Sequence, residues 1–444
     1  MKKFIQTFKN IWTIDDLRSK ISVTILLILI YRFGSHVALP GIDPNKLDLQ
    51  SAKKGLLGLF DTFAGGSFSS ASIFALGIMP YISASIFMQL MTILVPQMQK
   101  VQKEGDSGRK KINQWTRYLT ALVTLFQAAA YVAYLKNVSR DALIEAYEPY
   151  FWISTIIVLT AGTLFVMWLG EKIQDKGLGN GTSIIIMVGI LARLPQSFVG
   201  ELGAKQTSGG GGLLLFLIEI AFLFAIILGL ILLVQGVRKV PISYAKQLVG
   251  SRSLSGARQF LPLKVNASGV MPIIFAQAIM FLPPTIAQSV ENPGSFLRAM
   301  SDYGSFAYNA VFAILIIAFT YFYTAITINP NQIAEDLKRN GGFIPGVKPG
   351  KKTANFIGAV MSRITLPGSI FLGFVAIFPV FAIMIGVNDQ FAQFYGGTSL
   401  LIMVGVVLDT LQQVEQYLIM RHYDGLMKTG KIKGRSSVGG AITG

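Results

Sequence analysis

Residues 213–235 read LLLFLIEIAFLFAIILGLILLVQ, and this stretch decides the class of fold. It contains a single charged residue, Glu219. The hydrocarbon core of a bilayer is about 30 Å thick, and a helix of about 20 apolar residues spans it. Lipid offers backbone N–H and C=O groups no hydrogen-bond partner, so such a segment must be helical. The stretch therefore predicts a transmembrane helix.

Comparable apolar stretches occur along the whole chain. Charged residues make up 14% of the sequence, against roughly 25% in ordinary soluble domains, and the mean hydropathy is +0.55. The charges are concentrated between long apolar runs. We predict an all-α membrane protein with ten transmembrane helices. The ten predicted spans are 21–39, 71–95, 117–135, 151–170, 182–199, 213–235, 267–287, 305–328, 364–387 and 397–420.

Basic residues are distributed unevenly between the connecting segments. If the N-terminus is cytoplasmic, the segments on that side of the membrane carry 30 of the 39 Lys and Arg residues. Cytoplasmic loops of membrane proteins show this enrichment in Lys and Arg. We therefore predict that both termini are cytoplasmic, together with the long loops 236–266 and 329–363. The net charge of +17 also favours anionic partners, such as lipid head groups, nucleic acid or an acidic protein surface.

A glycine-rich stretch, 208–212, lies between the fifth and sixth predicted spans and resembles a flexible hinge. It divides the chain into an N-terminal half, 1–207, and a C-terminal half, 208–444. Because each half has an odd number of spans, the second half enters the membrane from the opposite face. If the halves are structural repeats, they must therefore be inverted repeats.

Enzyme and ion-transport sites are poorly represented. The chain has no cysteine and only two histidines, His36 and His422, which argues against a catalytic metal or thiol site and predicts a protein that is not an enzyme and needs no cofactor. Ionisable residues within spans are few and scattered, which favours structural or snorkelling roles over an ion relay. The glycine-rich run 177–182 is typical of a tight turn that caps the next span, although it could also wrap an anion.

Residues 55–70 are apolar, rich in Gly and Ser, and too short to span a bilayer. They could form an interfacial helix on the outer surface. Alternatively, they could be a re-entrant piece inside a pore, since irregular backbone is tolerated within a membrane only where protein or a cavity surrounds it. In the segment that follows, Ile78 and Ile82 share one helix face. Periodicity alone does not distinguish a pore lining from an ordinary bundle core.

The string FAGGS at 63–67, followed by IFALGIMPYISASI at 73–86, resembles the plug and second span of the SecY family of protein-translocating channels. Five further stretches agree in order and spacing. These are KEGDSGRKKI at 103–112, WLGE at 168–171 with GNG at 179–181, LPLKVN at 261–266, NP at 329–330 with FIPG at 343–346, and FYGGTSLL at 394–401. The similarity extends from about Arg18 to Leu426.

The resemblance implies a clamshell of two inverted five-helix halves around an hourglass pore. It implies a channel that moves unfolded secretory polypeptides across the membrane and releases transmembrane segments sideways into lipid. The apolar residues expected to close the pore are Ile78, Ile82, Thr182, Ile186, Ile274 and Ile402. The expected plug residues are Leu59, Phe60, Phe63, Gly65 and Gly66. The residues expected at a lateral gate between spans two and seven are Ile86, Gln127 and Asn266.

The resemblance also gives the basic loops a partner. It implies that they bind the SecA motor ATPase and the ribosome, whose RNA is strongly anionic. The expected docking residues are Arg252, Arg258, Lys338, Arg339, Lys348 and Lys351. The resemblance further implies that the chain binds small SecE-like and SecG-like membrane subunits and the signal sequences of secretory preproteins. It also implies a location in the cytoplasmic membrane of a bacterium. The alternative is an inverted-repeat secondary transporter for a small solute, which would require converging polar residues within the spans.

Overall fold

The structure is a computed structural model of the 444-residue chain. It describes residues 12, 14–43, 46–47, 61–138, 142–144, 148–207, 212–244, 248–249, 252–253, 259–280, 283, 294–302 and 304–428. The description below refers to these residues only.

Long helices dominate the first half of the chain. They are α1 (Asp15–Gly34), α2 (Met79–Leu94), α3 (Pro96–Lys103), α4 (Asp106–Val138), α5 (Glu148–Lys176) and α6 (Gly181–Thr207). The apolar pattern predicts that the second span begins near residue 71, but helix α2 begins at Met79. The preceding residues form consecutive turns, because Gly65, Gly66 and Gly77 have positive φ angles, and Pro80 then occupies the first turn of the helix, where a missing N–H costs nothing.

The second half alternates helices with short strands. Its helices are α7 (Gly212–Gln235), α8 (Met271–Met280), α9 (Ser295–Ser301), α10 (Phe306–Thr327), α11 (Pro330–Arg339), α12 (Lys351–Met384), α13 (Asp389–Ala392) and α14 (Gly397–Lys428). Its strands are β1 (Val237–Tyr244), β2 (Leu248–Val249), β3 (Arg252–Ser253), β4 (Gln259–Lys264) and β5 (Gly342–Phe343).

The helices agree with the predicted spans. Among the described residues, seven helical segments are long and apolar enough to cross a bilayer, and the pair α2 and α3, bent by 104°, makes an eighth if it is counted as one span. Helices α1 and α8 overlap the two remaining predicted spans. A described helix thus overlaps each of the ten predicted spans.

A small sheet joins the two long basic segments, 236–266 and 329–363, for which the sequence predicts loops and no strands. Strand β1 pairs antiparallel with β4, with Val237 opposite Lys264, and also with β5, where Ser243 is opposite Phe343. One face of this sheet packs against α11 and the first turns of α12. The buried residues of this unit are Val240, Ile242, Leu263, Leu337, Ile344, Ile357 and Met361. We call this unit, formed by β1, β4 and residues 330–361, the basic platform.

Candidate functional site: a plugged apolar constriction

Isoleucines from four separate segments meet in one hydrophobic cluster. Ile78, Ile186 and Ile402 are at most 4% exposed, and Ile82 and Ile274 pack against the same cluster. These residues lie at the start of α2, on α6, on α8 and on α14. Five of the six residues that the resemblance assigns to the pore ring therefore belong to, or pack against, one large hydrophobic cluster. That they form a ring around a pore stays a prediction.

Thr182, the sixth expected ring residue, lies at the start of α6. Its hydroxyl donates a hydrogen bond to Oδ1 of Asn180 at 2.7 Å. A Cβ atom on Gly170 of α5 would come within 3.3 Å of the Thr182 methyl group. The side chain thus contacts α5 and the turn before α6, one helical turn away from Ile186.

The described part of the expected plug segment (55–70), residues 61–70, contacts this cluster through Phe63. Leu59 and Phe60 lie outside the described residues, so their positions stay predictions. Phe63 is 6% exposed and belongs to the same cluster as Ile78 and Ile186. Only 61–63 are helical within the described part of the segment, and turns follow.

The plug segment approaches α6 so closely that glycine is needed on both sides. A Cβ atom at Gly65 would lie 2.8 Å from the Gly189 Cα, and one at Gly189 would lie 2.6 Å from the Phe63 carbonyl oxygen. Real Cβ contacts essentially never come closer than 3.0 Å. Gly65 also has φ +66, a conformation that other residues rarely adopt. The backbone of the segment is therefore seated directly on the backbone of α6.

Polar contacts fix the plug segment to several helices. Arg193 of α6 forms an ion pair with Asp61, which is fully buried, and donates a second hydrogen bond to the Ser69 hydroxyl at 2.8 Å. The Ser69 backbone N–H donates to Asp61 in turn, at 2.8 Å. Arg32 of α1 donates to the Gly65 carbonyl oxygen at 3.1 Å. The phenol of Tyr131 on α4 donates to the Phe68 carbonyl at 2.7 Å.

The three expected gate residues lie on different elements. Ile86 is buried on α2, Gln127 is partly buried on α4, and Asn266 is 7% exposed just after β4. The Ser268 hydroxyl donates a 3.2 Å hydrogen bond to the Asn266 side chain, which fixes that amide near the start of α8.

A second buried ionic group, which the sequence analysis does not predict, lies where α6 meets α7. The Lys205 ammonium is 2.9 Å from a Glu219 carboxylate oxygen and 3.5 Å from one of Glu201, and it donates to the Gly386 carbonyl at 2.9 Å. Glu201 also accepts the Asn388 backbone N–H at 3.0 Å. We call Glu201, Lys205 and Glu219 the Lys205 cluster. The four-residue spacing of Glu201 and Lys205 on one helix was the available signal.

The phenol of Tyr395 lies near the same cluster, in the turn between α13 and α14. Burial raises the pKa of this phenol, and the negative charges of Glu219 and Glu201 raise it further. The phenol therefore stays neutral beside the two carboxylates.

The expected docking residues fall into two groups. Lys338, Arg339, Lys348 and Lys351 are all exposed on the basic platform. Arg252 lies in strand β3, and Arg258 lies outside the described residues. The Thr353 hydroxyl donates to the Lys348 carbonyl at 3.0 Å, so the turn that carries Lys348 is fixed at the start of α12.

The glycine-rich run 177–182 forms a structural turn. Gly179 has φ +79, and its N–H donates to the Gln413 side chain of α14 at 2.9 Å. The Leu178 N–H donates to the Thr24 hydroxyl of α1 at 3.0 Å. These donors are occupied by the protein itself, which favours the capping interpretation over anion binding. Among the described residues, no group of three His, Cys, Asp or Glu is placed to hold a metal ion.

Comparison with known proteins identifies the family. A family model described as SecY matches residues 72–411. The chain belongs to the SecY family. The SecY subunit of the protein translocase of Halalkalibacterium halodurans is 43% identical over 431 residues, which cover 95% of this chain and all of the relative. The corresponding subunit of Aquifex aeolicus is 40% identical over 429 residues, which cover 95% of this chain and 99% of the relative.

Solved structures share the fold of this SecY-family chain. A protein-conducting channel superposes with a TM-score of 0.60 at 16% identity, covering 90% of this chain and 92% of the other. Sec61 in a canine ribosome–channel complex from the endoplasmic reticulum gives a TM-score of 0.57 at 15% identity, with the same coverage. The predictions of the family and of a SecY-like helical membrane fold are confirmed. The alternative of a small-solute transporter is not supported.

Proposed function

We propose that this SecY-family chain forms a channel that conducts unfolded polypeptides across a membrane and releases apolar segments into lipid. The observation that supports this most directly is that one apolar cluster includes or contacts Phe63 of the plug segment and the five isoleucines of the proposed ring, Ile78, Ile82, Ile186, Ile274 and Ile402. A solute transporter would need polar groups at this position to bind its substrate. The chain presents branched apolar side chains there instead.

An apolar ring suits a substrate with every kind of side chain. Isoleucine offers no hydrogen bond, so it binds no particular residue of a passing chain. When nothing occupies the constriction, apolar walls exclude water and ions by dewetting. The plug segment adds a second barrier on one side of the ring. Movement of Ile86 and α2 away from α8, with Gln127 and Asn266 at the opening, would provide a lateral exit to lipid.

The test compares one asparagine substitution in the ring with one in the ordinary core. Ile402→Asn should raise the resting ion conductance of the purified complex in planar bilayers, because the amide makes the constriction easier to wet. Ile316→Asn buries the same amide on α10, where Ile316 is fully buried in the same cluster but outside the ring. It should lower thermal stability by about 1–3 kcal/mol and leave the conductance unchanged. Loss of stability without conductance in both variants would contradict the proposal.

The basic platform is the proposed docking surface for cytoplasmic partners. Its exposed lysines and arginines, among them Lys338, Arg339, Lys348 and Lys351, fit an acidic face of a SecA-like motor or the RNA of a ribosome. SecE-like and SecG-like subunits are the proposed membrane partners. Purification of the complex in mild detergent, followed by mass spectrometry, should recover a single-span SecE-like protein at equal stoichiometry. Its absence from the native complex would contradict this assignment.

We further propose that the chain lies in the cytoplasmic membrane of a bacterium, that both of its termini are cytoplasmic, that residues 1–207 and 208–444 are inverted halves, and that it has no catalytic activity of its own. Because the chain lacks cysteine, single introduced thiols report their side of the membrane without background. A membrane-impermeant maleimide added to intact cells should label Asp389→Cys but not Lys351→Cys, both of which are exposed positions. The reverse pattern would invert the proposed orientation.

A further inference from the structure

A cavity of about 430 Å³ lies between the plug segment, α1 and α6. We call it the arginine cavity. Its walls include Arg32 and His36 from α1 and its end, Arg193 and Gln196 from α6, and Ser69 from the plug segment. Ligand pockets for small molecules begin at about 300 Å³, so the cavity can hold a small ion with its hydration or the head group of a larger molecule.

The charge of this cavity is unbalanced. Arg193 has a carboxylate partner in Asp61, but Asp61 does not line the cavity. Among the described residues, no carboxylate lies within ion-pair distance of Arg32, whose hydrogen bonds go to the Gly65 carbonyl and to the His36 ring. One uncompensated positive charge therefore faces a partly enclosed space, where screening by water is weaker than on an open surface.

The two guanidinium groups also converge. A Cβ atom on Gly65 would lie 2.7 Å from an Arg32 nitrogen, and one on Gly66 would lie 3.3 Å from two Arg193 nitrogens. Both arginines thus flank the same glycine pair. Within the part of the chain that the structure describes, the hydrogen bonds of Arg193 use only Nη2. The other N–H groups of its planar fork, with those of Arg32, match the geometry of an oxyanion with several acceptor oxygens.

We propose that the arginine cavity binds a phosphate group and that the bound phosphate holds the plug segment in its seat. Apart from Leu47, the walls come from α1 and its end, from α6 and from the plug segment, which contributes Gly65, Gly66, Ser69 and Ser70. The complete cavity exists only while the segment is seated. A ligand that binds only the seated state stabilises that state by linkage, in proportion to ln(1 + [L]/Kd). The regulatory half of this inference rests on the proposed role of residues 55–70 as a plug.

Exchange of a single buried thiol would measure this effect without any transport assay. Ser67 lies in the plug segment and is fully buried, and the chain has no cysteine, so Ser67→Cys provides one thiol that is protected while the segment is seated. The modification rate by a soluble maleimide then follows the population of the unseated state. In the purified complex, inorganic phosphate at ten times its Kd and constant ionic strength should slow the modification about tenfold.

A matched pair of substitutions tests whether the cavity is responsible. Gln196 is exposed and lines the cavity, so Gln196→Glu adds a negative charge there without disturbing any contact of the plug segment. It should abolish the slowing by phosphate. Gln174→Glu makes the same change at an exposed position of α5 and should leave the slowing intact. Equal slowing by phosphate in both variants would overturn the proposal.

Asp61→Asn should change both the rate of thiol modification without phosphate and the factor by which phosphate slows it. Without phosphate it should speed modification of the Ser67→Cys thiol, because the Arg193 ion pair is lost. With phosphate it should show a larger slowing than the parent, because the cavity gains another uncompensated positive charge. A smaller slowing than in the parent would contradict the electrostatic basis of the site.

Two arms separate the sources of the phosphate group. Inorganic phosphate is added to the complex in a detergent free of phosphate, and phosphatidylglycerol nanodiscs are compared in a phosphate-free buffer. Slowing in the first arm supports a free ion, and slowing only in the second supports a lipid head group. Absence of slowing in both arms overturns the inference. If phosphate slows thiol modification but Ile402→Asn does not change the ion conductance, only the proposed channel function is contradicted.

Discussion

Two buried ionic groups on α6 differ in the balance of their charges and in what they connect. Near Arg193, the group contains two arginines and one carboxylate, that of Asp61, which pairs with Arg193; the group joins α1 and α6 to the turns of the plug segment. In the Lys205 cluster, one ammonium serves two carboxylates, and the group joins α6 to α7 and to the backbone around Gly386. The first is positive in sum and borders a cavity, and the second is negative in sum.

We expect the two groups to have different roles: the Lys205 cluster holds helices together permanently, and the Arg193–Asp61 pair holds a segment that is proposed to move. The Lys205 cluster connects the end of one predicted half to the beginning of the other, and all three of its side chains are at least 89% buried. Breaking it leaves charges with no route to water. In the proposed channel, the Arg193–Asp61 pair connects α6 to a plug that moves away when the pore opens, and Asp61 moves with it. We therefore expect the Lys205 cluster to stabilise the fold at one end of α6, and the Arg193–Asp61 ion pair to keep the proposed channel closed further along the same helix.

The largest effect on stability is expected at the Lys205 cluster. Lys205→Met should lower the free energy of unfolding by about 3–5 kcal/mol, because two buried carboxylates lose the ammonium that lies beside both of them. Thermal melting of the purified complex measures this loss. Lys176→Met, at an exposed position in the last turn of α5, is the control and should change stability by less than about 0.5 kcal/mol. A small effect of Lys205→Met would remove the contrast between the two groups.

The corresponding change at the plug segment is Arg193→Gln. It also leaves a buried carboxylate, but Asp61 can gain water if the plug segment is released. We therefore expect a smaller loss of thermal stability than for Lys205→Met, together with a clear rise in resting conductance in planar bilayers. If Arg193→Gln lowers stability as much as Lys205→Met and leaves the conductance unchanged, the pair is an ordinary core contact.

A steric change at Gly189 sharpens the same contrast without touching any charge. Gly189→Ala places a methyl group about 2.6 Å from the Phe63 carbonyl oxygen, so the plug segment must shift outward. Resting conductance should rise. The control is Gly200→Ala on the same helix, where nothing lies within 4 Å of the new methyl group. It should be neutral or stabilising by about 0.5–1 kcal/mol, since alanine is the better helix former. Equal conductance in both variants would contradict the seating of the plug segment on α6.

The smallest effect on the fold is expected on the basic platform. Lys348→Glu should change thermal stability by less than about 0.5 kcal/mol, because the side chain is exposed. It should nevertheless slow the translocation of a motor-dependent precursor into inverted membrane vesicles, since it reverses a charge in the proposed docking surface. Lys348→Arg keeps the charge and should support normal translocation. An unchanged rate for Lys348→Glu would rule out a docking role for this residue.

The sequence was sufficient for the membrane fold because hydrophobicity and charge act locally. A run such as 213–235 must be a helix in lipid whatever surrounds it. The start of α2 was harder to predict, because the apolar residues 71–78 look like part of a span, whereas the turns around Gly77 need that residue's positive φ angle. The sheet is not predicted, because β1 and β4 each contain a proline, which usually argues against strand structure.

The residues of the candidate site can be predicted from the sequence only where a stretch of the chain resembles a known SecY-family motif. Ile186 and Ile402 are far apart in sequence, and only the resemblance placed them together. The Arg193–Asp61 pair joins residues 132 positions apart, and no pattern within either segment indicates the other. Glu219 was recognised as a charge within a span, but its partner Lys205 lies across the glycine-rich hinge and looks like a loop residue. Pairings of this kind depend on the tertiary fold and not on local sequence.

The basic platform is built into a transmembrane helix rather than attached to it by a flexible linker. Ile357 and Met361 belong to its buried core, and both lie within the first turns of α12, which continues to Met384. A helix of 34 residues is about 51 Å long at 1.5 Å per residue, so α12 runs without a break from the platform through the predicted span, with Pro367 and Pro379 inside it as points where it can bend. A partner that pulls or tilts the β1–β4 hairpin therefore acts directly on a membrane helix, and mechanical work done at the basic surface reaches the bilayer through α12.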